Sequence, residues 1–131
     1  MKMTVYTPTA PAAVGPYSQA VKANGFVFTA GQLGIDPLAG SIVATDAAGQ
    51  TRQALANILA ILKAAGSSAK SIVKATIYVT DLQLFSDVNS AYADFLAQES
   101  VSEPPARAIA EVSALPLKAL IEIEVIALLE A

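Results

Sequence analysis

The sequence predicts an α+β fold, a mixed β-sheet with two helices on one face. Three observations predict it. Apolar and polar residues alternate with period two in several short stretches, the pattern of half-buried strands. Two longer stretches switch to helical spacing, and each is followed by a strand, as in a parallel crossover. The hydrophobic fraction is 54% in 131 residues, with a mean hydropathy of +0.53. A domain this small cannot cover so much apolar surface alone.

Taken in order, Met3 to Tyr6 reads as a short edge strand, and Thr7 to Gly15, with Pro8 and Pro11, as extended loop. Gly15-Pro16-Tyr17 leads into a strand at Ser18 to Ala23. Asn24-Gly25 is a two-residue hairpin signal, because both residues tolerate positive φ, and Phe26 to Ala30 is the return strand. Gly31 to Gly40 reads as loop, with a short strand at Ser41 to Val43. Thr45 or Asp46 caps a helix to about Ala65 with Leu55, Ile58, Leu59 and Leu62 as its apolar stripe, and Gly66 closes it.

Ile72 to Thr80 is the next strand, with Val73, Ala75, Ile77 and Val79 facing one way and Lys74, Thr76 and Tyr78 the other. Asp81 caps a second helix, about Leu82 to Gln98, with Leu84, Phe85, Val88, Tyr92, Phe95 and Leu96 on one side. Two strands close the chain. In the first, Arg107, Ile109 and Glu111 share a face; in the second, Glu122 and Glu124 share one with Ile126 and Leu128. Residues 1–131 read as one domain, with no repeat or linker. Both helices fall on one sheet face, and the other is left for subunits to pack through.

Composition excludes several classes. There is no Cys and no His. Disulfides, thiolate and imidazole catalysis and the usual zinc sites are therefore ruled out, and no metal site is predicted. The net charge of -3 argues against a duplex-binding surface, which needs a concentrated basic face. No apolar run approaches the roughly 20 residues of a spanning helix, since Ile121 to Leu129 is interrupted by Glu122 and Glu124. Met1 to Val5 lacks the apolar core of a signal peptide, so a cytoplasmic location is expected.

Few residues are left to carry chemistry. Arg107 is one of two arginines and follows Pro104-Pro105. It is either one side of a salt bridge, with Glu111 as partner, or a bidentate clamp for a ligand carboxylate. Glu122 and Glu124 are either solvent-facing strand residues or, with His and Cys absent, the available general base. Tyr17 is either a core aromatic or a hydroxyl aimed at a pocket by Gly15-Pro16. Asn89 is a mediocre helix former, placed to bond locally or to face a cleft. Gly31 ends a strand, where the lack of a side chain also permits close approach to backbone. Arg52 is expected to be solvated, and Gly31 to Gly34 lacks the signature of a phosphate loop. These residues describe an oligomeric domain with a candidate anion site and name no reaction.

Together, Ala12 to Ala20 (AAVGPYSQA), Thr29-Ala30-Gly31-Gln32, Val88 to Tyr92 (VNSAY), Pro105-Ala106-Arg107 and Ile121-Glu122-Ile123-Glu124 resemble the RidA (YjgF) family over nearly the whole chain. The resemblance implies a chorismate-mutase-like two-layer sandwich, assembled as a homotrimer with a central barrel and sites in the clefts between subunits. It implies hydrolysis of reactive enamine/imine intermediates, such as 2-iminopropanoate and 2-iminobutanoate, to 2-oxo acids and ammonia, with no cofactor. Carried over by position, Arg107 grips the substrate carboxylate, Glu122 activates water, and Tyr17, Asn89 and Gly31 line the pocket. Two positions depart from the common pattern: Ala30 where many members have serine, and Ile109 where many have cysteine. Both bear on substrate preference. Alternative readings are a non-catalytic small-carboxylate binder, a deaminase of a larger substrate such as 2-aminomuconate, and an RNA-directed role, which the acidic balance disfavours.

Overall fold

The computed structural model describes residues Met1–Ala131. The elements are β1 (Met3–Val5), β2 (Ala20–Ala23), β3 (Phe26–Thr29), β4 (Ile35–Asp36), β5 (Ser41–Ile42), α1 (Ala47–Ala65), β6 (Ile72–Val79), α2 (Phe85–Gln98), β7 (Ala106–Glu111) and β8 (Ile121–Leu128). Six strands form one sheet in the order β1-β2-β3-β8-β6-β7, and β4 pairs with β5 apart from it. β6 and β7 are parallel, as expected of the crossover through α2, and β8 runs antiparallel to both β3 and β6. The last strand thus inserts into the middle of the sheet.

Local chemistry explains most of the boundaries. Asn24 and Gly25 sit at φ +52° and +85°, the left-handed pair that a tight hairpin with right-handed twist requires. Of the two candidate caps for α1, Asp46 does the work: its side chain accepts from the Gly49 N–H, and Gly66 closes the helix at φ +89°. The buried stripe of α1 is Leu55, Ile58, Ile61 and Leu62, with Leu59 only partly covered.

Four expectations need correction. Gly31 to Gly40 is not all loop, because Ile35–Asp36 pairs with Ser41–Ile42. Asp81 does not open α2. It accepts from the Gln83 N–H and caps a short 3₁₀ turn, Leu82–Leu84, after which α2 begins at Phe85. The strand after Ala23 begins at Phe26, but its partner is shorter than expected, starting at Ala20 rather than Ser18. Val73 does not face the core. The register against β8 slips between Ile72 and Lys74, a β-bulge that puts both Ile72 and Ala75 inside and leaves Val73 38% exposed.

The core is one cluster of 22 buried residues that joins α1 and α2 to one face of the sheet. Ala75, Ile77 and Val79 of β6 and Ile121, Ile123, Val125 and Ala127 of β8 supply the strand side of it. Buried amides tie the loops to this frame. Gln50 of α1 accepts from the Leu120 N–H and donates to the Ala44 carbonyl, fixing the entry to β8. Gln19 accepts from the Thr7 N–H and donates to the Thr7 and Pro11 carbonyls, fixing the proline-rich loop ahead of Tyr17. The second face of the sheet is uncovered in the chain. Phe28 and Leu128 remain 42% and 44% exposed on it.

Candidate functional site

Arg107 lies on β7 opposite Ala75 of β6, which is wholly buried. Parallel pairing puts both side chains on the same face, so the guanidinium points toward the helices. There it lies 5.7 Å from the ring centre of Phe85 and 5.0 Å from that of Tyr92, both on α2. Its Nη1 donates to Asn89 Oδ1 at 2.8 Å. Phe85, Asn89 and Tyr92 are spaced i, i+4 and i+7 and form one ridge of the helix. Two π faces and one amide therefore fix a planar cation while its other N–H groups make no bond within the chain. Burial raises the pKa of the Tyr92 phenol, against the pull of Arg107, so the ring stays neutral beside the cation. Glu111 is not the arginine's partner, since its carboxylate accepts from the Leu82 N–H instead. The pairing of Arg107 with Glu111 is therefore not made within the chain.

Glu122 occupies the opposite face. It pairs with Tyr78 of β6, between Ile121 and Ile123, whose side chains are in the core. Its carboxylate lies over Gly31. A Cβ at Gly31 would fall 2.7 Å from Glu122 Oε2 and 2.8 Å from its Cδ, so the lack of a side chain is a steric requirement here. Gly31 is held from both sides: the Ala30 N–H donates to the Gln19 carbonyl, and Gln32 exchanges two backbone bonds with Ile123. Burial, and next the charge of Glu124, raise the pKa of Glu122 above the ordinary carboxylate value of 4.5. Glu124 in turn accepts from the Tyr78 hydroxyl at 3.0 Å.

The remaining predicted residues are more loosely placed. Tyr17 is 51% exposed, and its hydroxyl accepts a long bond of 3.4 Å from the Val14 N–H in its own loop. Ala30 is half-buried beside Gly31. Ile109 shares the face of Arg107 and packs against the core. A cavity of about 200 Å³ opens on the uncovered face between Phe28, Lys74, Thr76, Glu124 and Ile126; neither Arg107 nor Glu122 lines it.

Within one chain, then, Arg107 is brought together with Asn89, and Glu122 with Gly31, but the two charged residues are not brought together. They face opposite sides of the sheet, with β6 between their strands. Three residues of these surroundings were not read as functional: Phe85, Tyr92 and Tyr78, the last of which bonds Glu124. The helical spacing of Phe85, Asn89 and Tyr92 was a usable signal. It reads first as an apolar stripe because rings dominate it.

Comparison with known proteins bears on this arrangement. Residues 7–129 match the family model described as Endoribonuclease L-PSP. A RutC family protein of Pyrococcus horikoshii is 49% identical over 97% of this chain and 98% of its own. The 2-iminobutanoate/2-iminopropanoate deaminase of Salmonella typhimurium is 45% identical over 97% of this chain and 98% of its own. The crystal structure of the Escherichia coli YjgF gene product superposes with a TM-score of 0.92 at 43% identity, covering 96% of this chain and 98% of that one. On sequence and fold alike, the chain belongs to the RidA (YjgF) family.

Proposed function

We propose that this protein hydrolyses reactive enamine/imine intermediates, 2-iminopropanoate and 2-iminobutanoate, to 2-oxo acids and ammonia. A relative 45% identical over nearly the full length carries the name of that activity. The observation in the molecule that most supports the reading is the pair of half-sites. One is an arginine fixed by Asn89, Phe85 and Tyr92 with N–H groups left for a carboxylate. The other is a carboxylate of raised pKa lying over a glycine.

Because the halves face opposite sides of one sheet, the reading places the working site at a seam between copies, in a homotrimer whose uncovered sheet faces turn inward as a barrel. Arg107 of one subunit then meets Glu122 of the next, and Tyr17 and Ala30 border the cleft. Exposed Phe28 and Leu128 support burial of that face by another copy.

In this scheme Arg107 grips the substrate carboxylate with two parallel bonds and fixes the orientation of the iminium carbon. Glu122 takes a proton from water as the oxygen adds to that carbon, and the π electrons move to nitrogen, giving a carbinolamine. Glu122 returns the proton to the amine. The C–N bond breaks as the hydroxyl oxygen forms C=O, and the hydroxyl proton leaves on ammonia. The sum is iminium plus water to oxo acid plus ammonium. Ile109, packed near Arg107, makes that side of the site apolar and favours a short alkyl substituent.

The test is an assay in which a serine or threonine dehydratase releases the imine and its disappearance is followed. The protein accelerates imine loss. Arg107→Ala lowers the acceleration by about 100-fold or more, and Glu122→Gln by a similar factor. Equal rates for wild type and both variants overturn the deaminase reading. Arg107-dependent binding of 2-oxo acids without acceleration would favour a carboxylate-binding protein.

A further inference from the structure

Beside Glu122, on the same uncovered face, stand Tyr78, Glu124, Thr76 and Lys74. The register pairs Tyr78 with Glu122 and Thr76 with Glu124, and the Tyr78 hydroxyl reaches diagonally to bond Glu124 Oε1 at 3.0 Å. The nearest strand on the other side, β7, offers this face only Ala106, Ala108 and Ala110. The titratable groups facing Glu122 from the packed elements are therefore Tyr78, Glu124 and, further along β6, Lys74, which lines the cavity next to Glu124.

Resting on the deaminase reading of Glu122, we infer that Glu124, anchored by Tyr78, is a positioning residue that acts through Glu122. The second carboxylate makes Glu122 the member of the pair that takes up and gives back the proton during hydrolysis. The reason is geometric first. The Tyr78 hydroxyl donates to Glu124, and a donated hydrogen bond favours the charged form of a carboxyl over the neutral one. Two carboxylates on one strand face, two residues apart and partly removed from water, do not both ionise freely. The one without a donor is the one that protonates. Glu122 has no hydrogen-bond donor within the chain; its carboxylate lies against the bare Gly31 backbone instead. The raised pKa of Glu122, with Glu124 as its second cause after burial, agrees with this division of labour. The Tyr78 phenol is raised as well, first by its bond to Glu124, so it remains a donor across the working pH range.

A general base for water and a general acid for a departing amine are the same group in this reaction. It works best when its pKa lies near the operating pH. Moving Glu122 upward serves that end, and Glu124 is the part of the shift that a single substitution removes without touching the substrate.

The experiment measures two things on the intact protein. Glu122 is titrated by carboxyl ¹³C NMR in wild type, Tyr78→Phe and Glu124→Gln, and the acid limb of kcat/KM is recorded for the same three. Glu124→Gln is expected to lower the Glu122 titration point and the acid limb together. Tyr78→Phe is expected to move both the same way by less, because it releases the charge without deleting it. Thermal melts check that the variants fold. An unmoved titration point in Glu124→Gln overturns the inference, as does a moved titration point with an unmoved acid limb. A wild type that titrates as expected but does not accelerate imine loss overturns instead the reaction assigned to the site, and the inference with it.

Discussion

The two faces of the sheet are built for different ends. The helix face is closed: Ala75, Ile77, Val79, Ile121 and Ile123 are fully buried, and Arg107, which points the same way, is clasped by an amide and two rings. The uncovered face has Phe28 and Leu128 open to solvent and carries two glutamates, one of them with its pKa displaced upward by burial. The contrast shows where stability is made and where it is given up. The closed face gains from packing, while the open face holds apolar surface and half-desolvated charge that only a partner or a ligand would satisfy. Substitutions should therefore divide by face: losses of stability on one, losses of function with little or opposite change in stability on the other.

The largest stability effect belongs to the closed face. Ile77 is fully buried between β8 and the helices, and Ile77→Ala is expected to cost about 2–5 kcal/mol, the usual transfer and cavity penalty. Chemical denaturation reads it directly. A cost under about 1 kcal/mol would mean that the two faces are not energetically distinct.

The intermediate case crosses between stability and function. Gly31→Ala puts a Cβ within 2.7 Å of Glu122 Oε2. The clash is with a side chain, which can swing away, so stability falls by about 1 kcal/mol. The displaced carboxylate, however, should lower imine hydrolysis on the order of 100-fold, as misplacement of a reacting group does. Activity retained alongside a normal melt would remove Gly31 from the site.

That division of faces was only partly legible in the sequence. The alternation in Ile121 to Leu128 and the Asn24-Gly25 turn disclosed strands and a hairpin because both signals are local. Arg107 and Glu122 stood out because a charge inside an apolar strand is costly without a use. What was hidden depends on contacts between distant segments. Nothing in the residues of β8 says that it inserts between β3 and β6, and that insertion decides which face Glu122 occupies. The bulge at Val73 breaks the period-two pattern with one extra residue, which alternation alone reads straight through. The clasp on Arg107 comes from α2, whose Phe85 and Tyr92 look like ordinary core residues until β7 is laid parallel beside β6.

The smallest effect has the opposite sign and is the sharpest test of the contrast. The folded-state pKa of Glu122 is raised above its ordinary value of 4.5, chiefly by burial. A carboxyl raised on folding favours the native state fully below the unfolded value and loses that contribution as pH rises through the folded one. At neutral pH the charged Glu122 is thus a burden on the fold. Glu122→Gln removes the charge at nearly the same shape, so its melting temperature should exceed that of wild type at pH 7. The gap should close below about pH 4.5, where Glu122 is itself protonated. The same variant should be the one that loses imine hydrolysis, the trade expected of a group kept for chemistry rather than for packing. A variant less stable than wild type at pH 7 would mean that Glu122 is a stabilising contact and that the open face is costly only in its apolar half.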